Sequence, residues 1–382
     1  MIPYGKQNLD QSDINQVLAV LQSDFLTQGP KVPEFEKAMC NYTTASFAVA
    51  VNSATSALHI ACLSLGINKS SRVWTSPISF VASANCAKLC GAEVDFVDVD
   101  PATGNMCAKA LENKLIKAKQ HNKLPDVIIP VHLAGHPCDM KQIAQLAKEY
   151  SFAIIEDASH AIGSEYQGDK VGSCSHSDIC VFSFHPVKII TSAEGGMLTT
   201  NQPQLAEKLS LLRSHGVTRQ LESLIRPNEG DWYYEQHALG LNYRMTDIHA
   251  ALGASQMTRL DDFVKRRNEL AKYYAHSLKS LPLDIVSPLA TSYSSRHLFI
   301  VKLHDKSKRK KTFEKMREAG IQVHVHYFPI HLQPYYMEQG FKEGDVEQAE
   351  LFYQQILTLP LFPDLTTEQV DYICQTLSDC LS

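Results

Sequence analysis

The sequence has no Cys-x-x-Cys pair, and its 10 cysteines are scattered between Cys40 and Cys380. Several of them lie in apolar periodic segments, where a free cysteine behaves as a small hydrophobic residue. This distribution argues against a zinc site or a disulfide framework and favours a reducing compartment. We therefore expect a cytoplasmic protein without a metal site.

An excess of positive charge and long apolar runs are missing too. The formal net charge is −5 over 382 residues, so the basic surface that typifies nucleic-acid-binding proteins is absent. No apolar run approaches the ~20 residues of a membrane span. Residues 1–7 do not combine a basic region with an apolar stretch, so we expect no signal peptide. The apolar fraction of 44% and charged fraction of 20% are typical of soluble globular proteins.

Short apolar strands alternate with amphipathic helices between about residues 45 and 200. A helix is expected at 140–150, and helical spacing also follows the first strand. Such alternation is typical of an α/β fold with a mostly parallel sheet covered on both faces. The strands are predicted at 47–52, 72–75, 93–97, 127–131, 152–156, 179–184 and 196–200.

The second half of the chain predicts a different organisation. We expect helix over 203–225, a functional loop over 226–245, and one long helix from Thr246 to beyond Leu270. A smaller α+β unit follows, with strands at 298–303 and near 323–326, a helix at 309–319 and closing helices. The predicted domains are a large α/β domain at 1–255, which includes an N-terminal substrate segment, and a small C-terminal α+β domain at 256–382.

Lys188 and Asp157 are the residues that first suggest chemistry. Lys188 follows the strand-like run 179–184, and Asp157 ends another apolar run 31 residues earlier in the chain. Pyridoxal phosphate (PLP) requires a lysine for its Schiff base and an acid opposite its pyridine nitrogen. The simpler interpretations are a surface lysine and a helix-capping aspartate.

The residues Ser53, Ala54 and Thr55 stand between a predicted strand and a predicted helix. Free backbone N–H groups and the helix dipole make such a turn an anion site, although Ser53 would also serve as a simple N-cap. With Lys188 and Asp157 also at strand ends, a phosphate becomes the better interpretation. Ser183 is placed to add a hydroxyl to the same phosphate.

Two ring side chains complete the candidate set. Phe80 follows a predicted strand and would stack on the pyridine ring, although taken by itself a core position is the favoured interpretation. His160 lies three residues after Asp157 and would hydrogen-bond the cofactor or serve as a buried structural histidine.

These segments occur together with several others, and their joint order and spacing are specific enough to indicate a family. Over essentially its whole length the chain resembles the DegT-type nucleotide-sugar aminotransferases, which have the aspartate aminotransferase-like PLP fold (fold type I). That resemblance implies a large domain with a mostly parallel sheet and a small C-terminal α+β domain. The motifs that carry it are 52–58, 156–160, 183–188, 193–196, 213–216, 240–244 and 326–331.

The resemblance also implies roles for individual residues. Lys188 would form the Schiff base, Asp157 would pair with the pyridine nitrogen, and Phe80 and His160 would lie against the ring. The phosphate would be held by Ala54, Thr55 and Ser183, and by Asn242 from the partner subunit of a homodimer. The substrate pocket would be lined by Tyr4, Asp24, Phe25, Leu26, Thr27, His324, Val325, His326 and Tyr327, with Arg244 at the diphosphate.

Within the family, the motifs are most similar to the branch that acts in pseudaminic acid biosynthesis. This similarity implies transfer of an amino group from L-glutamate to C4 of a UDP-4-keto-6-deoxy-N-acetylhexosamine. Lys188 argues against the sugar-dehydrating branch, which has histidine at that position. An aminotransferase for another nucleotide-linked 4-keto or 3-keto sugar remains an alternative, and a non-catalytic regulatory protein of the same fold is a remote one.

Overall fold

The computed structural model describes residues 1–381. The chain alternates between helices and strands through its first half, as the sequence predicts. In chain order the helices are α1 Gln11–Leu21, α2 Lys31–Thr43, α3 Ala54–Ser64, α4 Ala82–Leu89, α5 Ala108–Gln120, α6 Met140–Tyr150, α7 Pro203–Leu212, α8 Asp247–Met257, α9 Leu260–Ser277, α10 Arg309–Glu318, α11 Pro334–Met337, α12 Glu347–Gln355 and α13 Thr367–Leu381.

The strands form one large sheet and several small ones. In chain order they are β1 Phe47–Val51, β2 Arg72–Thr75, β3 Glu93–Phe96, β4 Val127–Ile129, β5 Ala153–Asp157, β6 Glu165–Tyr166, β7 Asp169–Lys170, β8 Ile179–Ser183, β9 Gly196–Thr200, β10 Val217–Thr218, β11 Glu235–Gln236, β12 Leu283–Ile285, β13 Ser292–Tyr293, β14 Phe299–Leu303 and β15 Ile356–Leu359. Short 3₁₀ helices lie at Leu133–Gly135, Leu221–Ser223, Lys306–Lys308 and Ile330–Leu332.

The large sheet has seven strands in the order β1-β9-β8-β5-β4-β2-β3. All neighbouring pairs from β8 to β3 are parallel, whereas β9 is antiparallel to both β1 and β8. The prediction of an α/β fold with a mostly parallel sheet is confirmed. Because β1, β2, β5 and β8 run in one direction, the loops that follow them open at the same edge, where ligands bind in open α/β sheets.

The strands of this sheet are buried because helices cover both faces. The side chains of β4 and β8 are all buried, which explains their continuous apolar sequence. Helices α3 and α4 pack against each other in the largest apolar cluster, through residues such as Leu58 and Cys86.

A second apolar cluster lies beneath the small antiparallel sheet β12-β14-β15. Helices α9, α10 and α13 contribute buried side chains to it, among them Tyr274, Met316 and Leu377. The domain boundary that we predict after residue 255 falls near the end of α8 and stays a prediction.

The region 203–225 is not helical throughout, contrary to our expectation. Helix α7 ends at Leu212, and the chain then turns through His215 and Gly216, which have φ values of 60° and 70°. The Leu212 carbonyl accepts a hydrogen bond from the Leu241 amide at 2.9 Å. This contact joins α7 to the loop before α8, which is distant in sequence. The end of α7 therefore could not be predicted from helical spacing alone.

The predicted long helix from Thr246 is broken into α8 and α9. At the break, the Thr258 hydroxyl donates to the Ser255 carbonyl at 2.7 Å, a local bond that competes with helix continuation. The Arg259 side chain bonds Asp13 of α1. The predicted strand near 323–326 is also absent, since His324 forms only an isolated bridge to Thr358 of β15.

No helix among residues 1–381 is long and apolar enough to cross a membrane.

Candidate active site

Lys188 lies at a cavity of about 500 Å³ at the edge of the large sheet. The cavity is within the size range of small-molecule sites. It brings together residues that are far apart in sequence. Its predicted lining residues are Tyr4, Ala54, Thr55, Phe80, Asp157, His160, Ser183, Lys188, His324, His326 and Tyr327.

The Lys188 amine faces this cavity but is otherwise surrounded by protein. Burial lowers the pKa of Lys188 to about 8, although the charge of Asp157 raises it in part. Desolvation disfavours the ammonium form. A larger fraction of Lys188 is therefore the neutral, nucleophilic amine near pH 8 than for an exposed lysine.

Asp157 ends β5 and is buried, and its carboxylate is held by hydroxyl groups. Ser83 Oγ donates to Oδ2 at 2.6 Å, and Ser159 Oγ donates to Oδ1 at 2.6 Å. The Ser159 amide donates to the same Oδ1 at 3.1 Å. These hydrogen bonds hold the plane of the carboxylate in one orientation.

The start of α3 forms the opposite end of the cavity. The Ser53 side chain caps the helix by accepting the Ser56 amide at 3.1 Å, so the capping interpretation is confirmed. The Ala54 and Thr55 amides lie in the first turn of α3, where backbone donors have no helical partner. Ser183 lies beside them at the end of β8.

Gly196 allows the start of β9 to approach this turn closely. A Cβ atom at Gly196 would lie only 2.5 Å from the Ser53 carbonyl carbon. The glycine is therefore required for the close approach of two backbones, and it explains part of the motif at 193–196.

His160 is held as a neutral ring with a defined tautomer. Its Nδ1 accepts the Ala134 amide at 3.3 Å, so the proton lies on Nε2, which is 3.1 Å from the Tyr327 hydroxyl. Burial lowers the pKa of His160 well below its usual range, and the charge of Lys188 adds to this effect. His160 can therefore donate one hydrogen bond into the cavity region but does not supply a positive charge.

Three rings that line the Lys188 cavity pack together, and we call this group the aromatic wall: Tyr4, His324 and His326. The rings of His324 and His326 stack with centroids 4.4 Å apart, and Tyr4 lies 5.5 Å and 5.3 Å from them. The His326–Tyr327 peptide bond is cis. The first residues of the chain thus meet a segment more than 300 positions later, as the predicted substrate pocket requires.

Other predicted residues do not line this cavity. Asp24, Phe25, Leu26 and Thr27 are exposed at the surface, with Phe25 54% and Leu26 49% accessible. Val325 packs against the main apolar cluster. Their assignment to the substrate pocket stays a prediction.

Asn242 and Arg244 lie on a neighbouring surface of the chain. Asn242 is exposed and pairs with Ser214 in an isolated bridge. Arg244 donates to the Ser214 hydroxyl at 3.0 Å and lines a separate cavity of about 270 Å³. Neither residue lines the Lys188 cavity within one chain, and their predicted roles stay predictions.

The sequence reasoning missed the serines that hold Asp157. Ser83 and Ser159 contact the carboxylate directly, and Ser79 hydrogen-bonds Ser83 at 2.7 Å. The available signals were the i,i+4 spacing of Ser79 and Ser83 after a strand, and a serine two residues beyond the aspartate. It also missed His185 and Glu194, which line the cavity.

The residues around the cavity fit PLP. Free amides at a helix start suit a phosphate, a buried and oriented carboxylate suits the ring nitrogen, and a lysine of lowered pKa suits the aldehyde. Phe80 lines the cavity and is not covered by the rest of the chain, since 61% of the residue surface is accessible. An uncovered aromatic face at that position fits stacking against a planar ring.

A family model of the DegT/DnrJ/EryC1/StrS aminotransferases matches residues 7–378. The UDP-4-amino-4,6-dideoxy-N-acetyl-β-L-altrosamine transaminase of Campylobacter jejuni strain 81-176 is 38% identical over 100% of this chain and 98% of its own length.

Solved structures show the same similarity. Helicobacter pylori PseC, an aminotransferase of pseudaminic acid biosynthesis, superposes with a TM-score of 0.90 at 34% identity, over 100% of this chain and 99% of that chain. The PLP form of the putative sugar aminotransferase Spr1654 from Streptococcus pneumoniae has a TM-score of 0.89 at 30% identity, over 99% and 98% of the two chains.

Proposed function

The chain belongs to the DegT/DnrJ/EryC1/StrS aminotransferase family, and we propose that it aminates C4 of a UDP-4-keto-6-deoxy-N-acetylhexosamine with L-glutamate as donor. The product would be UDP-4-amino-4,6-dideoxy-N-acetyl-β-L-altrosamine, an intermediate for pseudaminic acid. The enzyme class is a PLP-dependent nucleotide-sugar aminotransferase.

The observation that carries the substrate proposal is the similarity to the Campylobacter jejuni altrosamine transaminase across the whole chain. The geometry around Lys188 is consistent with the reaction type but does not itself select a sugar. We therefore rest the identity of the sugar on that relative and the chemistry on the cavity.

When bound, PLP supplies an electron-accepting ring that carries an amino group from one substrate to the other. Lys188 would hold the cofactor covalently through Nζ and would be released when a substrate amine replaces it. Its amine, neutral above a pKa of about 8, would then carry a proton between the substrate carbon and the cofactor carbon, taking it from glutamate in the first half-reaction and delivering one to C4 of the sugar in the second.

Asp157 would hold a proton at the ring nitrogen of the cofactor. Its carboxylate is already oriented by Ser83 and Ser159, so little reorganisation is needed when the ring arrives. His160, whose Nε2–H is directed at the Tyr327 hydroxyl, would lie against the ring. Phe80 would cover one face of the ring and exclude water from it.

The phosphate would be bound by backbone donors rather than by cations. The Ala54 and Thr55 amides and the Ser183 hydroxyl lie at one end of the cavity. We propose that Asn242 of a second subunit completes this site, and that Arg244 contacts the substrate diphosphate from the same direction.

Support for a homodimer comes from the exposed loop that precedes Asn242. Its large apolar side chains are uncovered in the single chain, with accessible fractions of 83% for Ile225, 76% for Trp232 and 86% for Leu239. Exposed apolar groups in one region typify protein interfaces. The loop therefore offers a surface on which a second copy of the chain could pack.

The substrate proposal is tested with purified enzyme, PLP and L-glutamate. UDP-4-keto-6-deoxy-N-acetylhexosamines of the two C5 configurations are offered separately, together with a nucleotide-linked 3-keto sugar, and products are identified by mass spectrometry and NMR. We expect preferential amination of the L-configured 4-keto sugar. Equal or better turnover of either other sugar would refute this substrate.

A further inference from the structure

Glu156 and His132 form a buried pair on the face of β5 opposite to the Asp157 carboxylate. His132 Nε2 lies 2.7 Å from Glu156 Oε2, and the two residues are 0% and 5% exposed. The Ser177 hydroxyl donates to the other carboxylate oxygen. Consecutive strand residues point to opposite faces, so Glu156 lies behind Asp157 and outside the cavity.

The same short segment also holds the backbone of Asp157. The Asp157 amide donates to the Pro130 carbonyl at 2.9 Å, and the His132 amide donates to the Asp157 carbonyl at 3.1 Å. The β4–β5 pairing continues there as an isolated bridge between Val131 and Asp157. The end of β5 is thus attached to residues 130–132 through both backbone and side chains.

The His132 ring is itself fixed at its second nitrogen. The Cys138 amide donates to Nδ1 at 3.2 Å, which favours a neutral ring with its proton on Nε2. Burial lowers the pKa of His132, whereas contacts with Cys138 and Glu156 raise it, but a protonated Nδ1 could not accept the Cys138 amide. That bond fixes the tautomer, and Nε2–H donates to Glu156.

The carboxylate of Glu156 is ionised in this arrangement. Burial raises its pKa, but the hydrogen bonds from His132 and Ser177 lower it, and the net shift is downward. A buried anion that lost its donors would be strongly destabilised. The Glu156 carboxylate therefore stays in the position where His132 and Ser177 both donate to it.

We propose that His132 and Glu156 are positioning residues that fix the end of β5 and thereby aim the Asp157 carboxylate at the cofactor ring nitrogen. This inference rests on the proposed function only in the assignment of Asp157 to that nitrogen. Neither side chain lines the cavity, so both would act through Asp157.

The test compares Glu156→Gln with Glu156→Ala in the PLP-loaded enzyme. Glutamine keeps an acceptor for His132 Nε2–H, whereas alanine removes it. For the glutamate half-reaction, we expect a ~10- to 100-fold lower rate constant in Glu156→Ala with nearly unchanged glutamate affinity, because a small misplacement of a catalytic group has effects of this size. Glu156→Gln should stay close to wild type.

A second readout does not depend on turnover. The pH dependence of the visible absorbance of the bound cofactor reports the proton on the imine formed with Lys188, and this titration responds to the ring-nitrogen charge that Asp157 would hold. We expect it to shift in Glu156→Ala and to return towards wild type in Glu156→Gln. An unchanged titration in Glu156→Ala, or equal damage in both variants, would overturn the positioning role.

The chain offers a matched control in a second buried pair. His331 Nε2 lies 2.9 Å from Glu350 Oε1, and Glu350 does not line the cavity. Glu350→Ala should lower the melting temperature by a comparable amount and leave the cofactor titration unchanged. If Glu350→Ala moved the titration as far as Glu156→Ala, the effect would be general destabilisation and the proposal would be wrong.

If Glu156→Ala does not fold, His132 supplies the same comparison. In His132→Gln the side-chain amide can still reach Glu156, whereas in His132→Asn it mimics only the Nδ1 side of the ring. We expect the glutamine variant to retain the cofactor titration better; equal behaviour would refute the inference. Both readouts omit the sugar, so an error in the proposed sugar would leave them unaffected, whereas failure to bind PLP would refute the proposed function.

Discussion

Ser83 Oγ donates a hydrogen bond to Asp157 Oδ2 at 2.6 Å and so connects α4 to the end of β5. Ser79 is 2.7 Å from Ser83 and, because Ser83 donates to the carboxylate, acts as the donor to Ser83. The carboxylate orientation is therefore set by a short chain of hydroxyl groups that starts next to Phe80.

We predict that Asp157→Asn lowers the rate of amino transfer by about 10²- to 10⁴-fold, the usual range for loss of acid–base assistance. An amide cannot hold the ring proton as a carboxylate does, whereas the shape of the site is kept. PLP should still bind, as measured by fluorescence titration. Wild-type turnover in this variant would remove Asp157 from its role.

Ser83→Ala provides the milder form of the same experiment. It removes one neutral donor from Asp157 and leaves the Ser159 bonds in place, so we expect a loss of roughly 3- to 10-fold in kcat, in line with the net contribution of about 1 kcal/mol from a typical hydrogen bond. The measurement is steady-state kinetics with glutamate saturating. A loss as large as that of Asp157→Asn would mean that Ser83 does more than orient the carboxylate.

Lys188→Ala is expected to abolish amino transfer and to remove the absorbance band of covalently held cofactor. The cause is the loss of the only lysine that lines the described cavity. Lys109→Ala, which removes an exposed lysine of α5, is the control and should keep both signals. Circular dichroism establishes that each variant is folded, and an active Lys188→Ala enzyme would contradict the assignment.

The uptake of PLP by cofactor-free enzyme should depend on pH through Lys188. Only the neutral amine reacts with the aldehyde, and its pKa is about 8 because of burial, so the rate should rise with pH and level off above pH 8. Since the Asp157 charge raises this pKa, Asp157→Asn should move the midpoint to lower pH. Stopped-flow absorbance provides the measurement, and a midpoint near 10 would contradict the buried environment.

Mixed dimers test the proposed role of Asn242. Lys188→Ala and Asn242→Ala subunits are each expected to be impaired alone, the second through weaker phosphate binding. In a mixed dimer one site would combine Lys188 of one subunit with Asn242 of the other, and activity should return towards half of wild type. Activity that remained at the sum of the two separate variants would argue against a shared site.

The sequence predicted the large sheet well because its strands carry local signals. Buried strands such as β4 and β8 are largely apolar runs between turns, and the residues that follow them can be located from that pattern. The candidate cofactor ligands, from Ala54 to Lys188, could be predicted because each follows such a strand end.

Features set by distant contacts were not predictable in the same way. The break after α8 depends on Arg259 reaching Asp13, and the end of α7 depends on Leu241. The Ser83 contact with Asp157 joins residues 74 positions apart. Residues 24–27, Asn242 and Arg244 lie outside the Lys188 cavity of the single chain, and their predicted roles stay predictions.

The aromatic wall of Tyr4, His324 and His326 has a consequence for the evolution of new specificities. It is built from the first residues of the chain and a loop of the C-terminal region, whereas the candidate cofactor ligands lie at the ends of large-sheet strands. Exchanging the two wall segments between relatives would therefore change the surface that we propose faces the sugar, while the candidate cofactor ligands at the strand ends stay in place. Since the proposed recognition surface and the proposed reaction centre come from different parts of the chain, these two segments are the natural units for engineering.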